Sequence, residues 1–224
     1  MQLAIAALIA LLPIINPFST APMFLAITEG DTEAERQEQA RKAVIYMICI
    51  LVAFLVGGTM IMKFFGLSLP GLRIAGGILV GGVGIRMLYP KDNAGQTRAE
   101  HLESRRKRDV SFTPLAMPSL AGPGAISVTI GLTSLAKSWL DFVSIIIGIL
   151  LVAALVYATL RASTKLVKVL GVNGLHAMTK IMGFLILCVG VQFIVNGVVE
   201  VAQSPELIEG IIRAIDTARE KQLQ

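Results

Sequence analysis

The chain has 224 residues, of which 54% are hydrophobic and only 16% charged, with a mean hydropathy of +0.73. Soluble domains carry about 25% charged residues, so a water-soluble fold is excluded, and the length leaves room for about six membrane spans of roughly 20 residues. The net charge of +5 and pI near 9.4 would suit a nucleic-acid binder, but the basic residues lie between apolar segments, where they read as orientation signals instead.

The first apolar segment, residues 3–27, has no Lys or Arg ahead of it and is interrupted by Pro13, Pro17 and Pro22, which argues against a cleaved signal peptide. Proline removes a backbone donor and clashes with the carbonyl four residues back. Lipid offers no water to replace the lost bond, so such a segment survives only where the freed backbone is buried or lines a cavity. A broken helix is expected here. The second segment, residues 44–62, and the fifth, 142–160, are uncharged and long enough to cross the hydrocarbon. The third, 69–88, carries Gly71, Gly76, Gly77, Gly81, Gly82 and Gly84, with Gly77-x3-Gly81 a close-approach motif. The fourth, 111–135, repeats the proline spacing of the first: Pro114, Pro118 and Pro123 each stand 101 positions after their counterparts. The sixth, 175–201, has Gly183, Gly190 and Gly197 at intervals of seven, which predicts one packing seam. Beyond it, Leu207, Ile208, Ile211, Ile212 and Ile215 alternate with charged residues, the pattern of an amphipathic helix on the membrane surface or docked on a partner. Cys49 and Cys188 fall in apolar segments and read as small core residues. His101 and His176 have no acid or cysteine at ligand spacing, so no metal site and no cofactor are expected.

Two proline-broken spans in matching positions, and Arg73-Ile74-Ala75-Gly76 matched by Lys180-Ile181-Met182-Gly183 at an offset of 107, divide the chain into two three-span halves, 1–90 and 110–202. Between them lies a basic loop, 91–109, and after them a tail, 203–224. Three is odd, so the copies must enter the membrane from opposite sides, giving an inverted repeat. The expected fold is therefore an all-α integral membrane protein of six spans, with the first and fourth broken. Basic residues set its orientation. Thirteen lie in the loops after the first, third and fifth spans, among them Arg105, Arg106, Lys107 and Arg108, against five on the other side. Both termini are expected outside the cytoplasm.

The breaks are where ligand chemistry is expected. The second half of a broken helix starts with free N–H groups that favour an anion, and the first half ends with free carbonyls that suit an ammonium group. Together they fit a small zwitterion. Asn16, Pro17, Phe18, Ser19 and Thr20 surround the first break; Gly122, Pro123, Gly124, Ala125 and Ile126 surround the second. The small residues Ser19, Ala21, Gly122, Gly124 and Ala125 leave room for a ligand with little or no side chain. For one kink, burial among neighbouring helices would explain the residues; two matching kinks favour a site. Arg73 and Lys180 are either headgroup anchors or contacts for an anion along the path. Gln192 and Asn196, four apart, line the cavity or bond across helices. No Asp or Glu lies in a central apolar stretch, so no coupling ion is named. P-loop, H-E-x-x-H and Ser-His-Asp patterns are absent, and no catalytic residue is expected.

Asn16-Pro17 followed by Pro22, Gly122-Pro123-Gly124-Ala125-Ile126, and Arg73-Ile74-Ala75-Gly76 resemble the MarC family of small bacterial inner-membrane proteins, over the chain to about residue 202. The family often has glycine after its first Asn-Pro, where this chain has Phe18-Ser19. The resemblance implies a six-span inner-membrane protein near the LysE-type exporters, acting on small neutral amino acids such as glycine and alanine. The expected partners are therefore a small zwitterionic substrate, the lipid bilayer and a possible second copy of the chain. A channel, a lipid- or drug-handling protein, and a non-transporting subunit of a membrane complex are the alternatives on the same scaffold.

Overall fold

A computed structural model describes residues 2–89, 109–133, 135–136, 138–205, 209–210 and 213. The basic run of the central loop and nearly all of the amphipathic tail lie outside the described residues. Among those described, every regular element is helical: α1 Gln2–Ile15, α2 Pro17–Ile27, α3 Glu33–Phe64, α4 Leu69–Leu88, α5 Ser111–Leu120, α6 Pro123–Thr133, α7 Trp139–Arg161 and α8 Ser163–Ala202. α3, α4, α7 and the Ala177–Ala202 part of α8 are long and apolar enough to cross a membrane. The bent pairs α1–α2 (45°) and α5–α6 (60°) bring the total to six if each pair is one crossing. Large apolar side chains such as Ile9, Val56, Met60, Ile78, Ile147, Phe184 and Val198 point outward along these helices. Water would penalise that surface and lipid would not.

The three prolines of each set do not act alike. Pro13 and Pro22 stay inside α1 and α2. The first break falls only at Asn16, whose φ of 42° is left-handed, because the residue before a proline is driven out of the right-handed helical region and Asn tolerates the left-handed one. In the second half the residues before two prolines, Thr113 and Met117, are extended, at φ −126°, ψ 121° and φ −127°, ψ 124°. α5 is therefore a widened, irregular segment, with Ala121 N–H reaching five residues back to Ala116 C=O at 2.8 Å. The chain bends again before Pro123, the first residue of α6. The two bends thus precede Pro17 and Pro123, which stand 106 positions apart, whereas the proline spacing pairs Pro17 with Pro118.

The helix pairings repeat across the halves. α1 packs on α7 and α5 on α3; α2 packs on α8 and α6 on α4; α2 also meets α7, and α6 meets α3. α3 packs on α7, and α4 on α8 more closely than any other described pair. That last seam is glycine on glycine. A Cβ on Gly77 would stand 2.5 Å from Gly190 O, one on Gly84 2.7 Å from Gly183 O, and one on Gly197 2.9 Å from Pro70 O. The three α8 glycines do line one face, as their spacing of seven predicts. Gly81 differs from expectation: its own Cβ would meet only Leu187 Cδ1 at 3.7 Å, and it serves the seam through its backbone. Cys49 and Cys188 are free and lie on the exterior rather than in the core.

One end of the bundle is tied by polar contacts. The Arg36 guanidinium on α3 donates to Thr28 O at the end of α2 (3.4 Å) and to Thr164 Oγ1 at the start of α8 (3.5 Å). Buried Gln39 Oε1 accepts from Val110 N–H at 3.0 Å. Asp109 receives the Ser111 hydroxyl and N–H and pairs with Lys42 at 3.4 Å. Donation from the Ser111 hydroxyl, then from its N–H, with Lys42 adding charge attraction, holds the Asp109 carboxyl below its ordinary range. The described residues of the loops after the first, third and fifth expected spans therefore meet at this end. The last of them is not a loop: Lys165 and Lys168 ride on the opening helical turns of α8, which bends at Gly171 (φ +63°).

Candidate functional site

Two cavities lie along the seam between α4 and α6. The larger, about 390 Å³, is lined by Gly122, Pro123, Gly124 and Ala125 of the second break, by Ile14, by Val80 and Val83, and by Arg86 near the end of α4. It is at the small end of ligand-pocket volumes, roughly 300–1,000 Å³. The smaller, about 260 Å³, is lined by Arg73, Ser127, Gly131, Phe193 and Asn196 among others. Between them α4 and α6 touch. A Cβ on Gly76 would stand 2.8 Å from Ser127 Cβ, and one on Gly124 2.9 Å from Val80 Cγ2.

The two breaks are built differently. At the first, Asn16 Oδ1 accepts from Ser19 N–H (3.3 Å) and Thr20 Oγ1 donates to Asn16 O (3.2 Å). Asn16, Pro17 and Thr20 are buried, Phe18 and Ser19 half-buried, and none of the five is on the wall of either cavity. Asn16 Nδ2 donates to Met87 Sδ at 3.7 Å. This turn satisfies itself. The second break has no side-chain cap among the described residues. Its first bond back across the bend is Ile126 N–H to Gly122 O at 3.0 Å, and a helix leaves the donors before that point unpaired. Gly122 is required by sterics, since a Cβ there would meet Pro118 O at 2.5 Å. Four of the five residues expected at this break, Gly122 to Ala125, face the larger cavity; Ile126 does not.

Arg73 and Lys180 part company. Arg73 lines the smaller cavity and its Nη1 bonds Glu200 Oε2 at 2.8 Å. Lys180 is exposed and on neither wall. The buried faces of α4 and α8 explain why. Gly77, Val80 and Gly84 are buried, as are Gly183, Ile186 and Gly190, 106 positions later, and that spacing pairs Arg73 with Thr179 rather than with Lys180. One residue is a 100° turn of a helix, enough to swing Lys180 outward. Asn196 lines the smaller cavity and accepts from Gln192 Nε2 at 2.8 Å; Gln192 itself is exposed. Sequence reasoning missed Arg86 on the larger cavity and Glu200 as the partner of Arg73. The first was visible as the only cation near the end of the third span, and the second as the only acid near the end of the sixth.

The profile of the MarC family integral membrane proteins matches residues 1–202. The inner membrane protein MarC of Citrobacter koseri is 38% identical over 208 residues, covering 88% of this chain and 94% of that protein. The inner membrane proteins MarC of Escherichia coli K12 and of Shigella flexneri are each 37% identical over the same length, with the same coverage. No solved structure matches.

Proposed function

The chain belongs to the MarC family of integral membrane proteins, and from that premise we propose that it is a secondary transporter of small neutral amino acids in the inner membrane, working by alternating access in two inverted halves. The inner-membrane assignment follows the names of its relatives. The observation that carries the transport reading is the second break: the start of α6 with its unpaired N–H groups, the small residues Gly122, Gly124 and Ala125, and the Arg86 cation all border one cavity of about 390 Å³. Helix N-terminal donors and a cation favour a carboxylate, and the small walls favour a substrate with little side chain.

Three features support six crossings related by a two-fold axis in the membrane plane. Bends of 45° and 60° deflect a chain without reversing it, so each bent pair is read as one broken span rather than a re-entrant loop. Buried Ala40, Ala43, Val44, Met47, Leu51 and Leu55 of α3 recur as Ile145, Gly148, Ile149, Val152, Val156 and Leu160 of α7, each 105 positions later. Gly77 meets Gly190 while Gly84 meets Gly183, the reciprocal contact that a two-fold axis generates. The site then sits off the axis, on the α4–α6 side.

Uptake and efflux of labelled glycine and alanine in proteoliposomes test the function. Saturable flux competed by unlabelled alanine is the expected result. Non-saturable flux would make the protein a channel, and no flux of any amino acid would sink the transport reading.

A further inference from the structure

We propose that the Arg73–Glu200 ion pair is a latch that closes the smaller cavity, and that this cavity is the anteroom of the path on the side of the membrane where the pair sits. The proposal rests on the transport reading above for its purpose, but not for its test.

Arg73 is in the second turn of α4, and Glu200 in the last turn of α8. Their Nη1–Oε2 bond, 2.8 Å long, is the described ion pair that joins these two helices. Both side chains are partly covered, at 27% and 37% exposure, so the pair is neither a freely solvated surface contact nor sealed in the core. Asn196, one helical turn before Glu200, and Arg73 itself are on the cavity wall, which places the pair between the cavity and the helix ends. At its other limit the cavity stops where Gly76 meets Ser127, and the larger cavity begins beyond that contact. Parting α4 from α8 at this end requires the ion pair to break. Closing them again restores it. A carboxylate-bearing solute entering here meets an arginine that already holds a carboxylate. The solute and Glu200 therefore compete for one guanidinium, and exchange of partners couples entry to opening. A pair in partly desolvated surroundings belongs at the upper end of the range for surface ion pairs.

The test uses a thiol reporter. Gly131 lines the cavity, and a Cβ there meets no atom of the described residues within 4 Å, so Gly131→Cys places a thiol on the cavity wall. Cys49 and Cys188 are exposed and are first replaced by alanine in the full-length chain. A membrane-impermeant thiosulfonate is then added to right-side-out and to inverted vesicles, and the modification rate is read for each variant. Glu200→Gln and Arg73→Gln should each raise the rate from one side by about fivefold, the factor that roughly 1 kcal/mol gives. The charge swap R73E/E200R should restore the slow rate. Size-exclusion profiles exclude variants that misfold; should Arg73→Gln be lost this way, Glu200→Gln and the swap still decide. Equal rates in all variants from both sides, or a swap that leaves the rate high, would overturn the latch. Absence of amino-acid flux in the wild type would instead overturn the transport reading and leave the labelling result standing.

Discussion

A single glycine separates the two uses to which small residues are put here. Gly124 faces the larger cavity, and the first atom of any side chain added there would press on Val80 Cγ2 (2.9 Å) and Ile14 Cγ2 (3.3 Å). Both are branch methyls on the cavity wall rather than backbone atoms, so a shift of a few tenths of an ångström admits the Cβ, and the remaining atoms of a leucine would enter the empty volume. Gly124→Leu should therefore stop alanine flux at near-normal expression and with a normal size-exclusion profile. Normal flux at normal expression would put the site elsewhere. The two cations expected to act alike should also separate. Arg73 lines a cavity and is paired, while Lys180 is exposed and off both walls. Arg73→Gln should weaken the apparent affinity for alanine by about tenfold or more, a charge-assisted hydrogen bond being worth about 1.5–3 kcal/mol. Lys180→Gln should leave it unchanged, as removal of a headgroup anchor would. Equal effects in the same vesicles would refute the assignment that the helix register implies.

At the level of the element, the α4–α8 seam is the most exacting packing in the molecule. Backbone stands against backbone, and a methyl group has nowhere to go: a Cβ on Gly190 would lie 2.5 Å from Gly81 N and 2.7 Å from Gly77 O. Neither atom is the end of a movable side chain, so Gly190→Ala must push the helices apart. Overpacking of this kind costs about 1–3 kcal/mol, and the thermal transition of the detergent-solubilised protein should fall. Gly82→Ala is the matched control, since a Cβ there meets nothing within 4 Å, and its transition should stay or rise slightly as helix propensity improves. Equal transitions in the two variants would dissolve the seam. This seam was legible in the sequence because glycine at intervals of seven has few other uses in an apolar span. The breaks were legible for the same reason, since the proline constraint is local. Which break opens on a cavity was not legible. It depends on the Asn16 side chain turning back to cap its own helix while Gly122 has no side chain with which to do so. On the repeat proposed above, the register also differs from the proline spacing. Proline spacing gives an offset of 101, but α5 is widened by extended residues at Thr113 and Met117, and the buried faces of the later helices settle at 105 and 106.

Across the whole molecule, the ends of the bundle differ in kind. At one end the start of α3, Asp109 and the start of α8 are joined by Arg36, Gln39 and Lys42. Asp109 adds a pH dependence there. Its carboxyl is held below the ordinary range, first by the Ser111 hydroxyl, so it binds fewer protons folded than unfolded. Its contribution to stability is therefore present above the unfolded carboxylate value of about 3.9 and is lost as pH falls through the lower folded value. Solvent screens the site, so the loss is small: Asp109→Asn should lower the transition slightly at neutral pH and not at strongly acidic pH. A drop of equal size at both would assign Asp109 a packing role instead. The basic residues also set the orientation that is expected. Thirteen of the eighteen basic residues counted in loops and tail follow the first, third and fifth spans, and positive residues stay on the cytoplasmic side. With six crossings both termini then face the periplasm. An alkaline phosphatase fused to the C-terminus should be active and a green fluorescent protein at the same point dark. The reverse pattern would place the basic end outside. A C-terminus in the cytoplasm with the N-terminus in the periplasm would make the number of crossings odd, so that one bent pair would be a re-entrant hairpin, and the inverted repeat would fall with it.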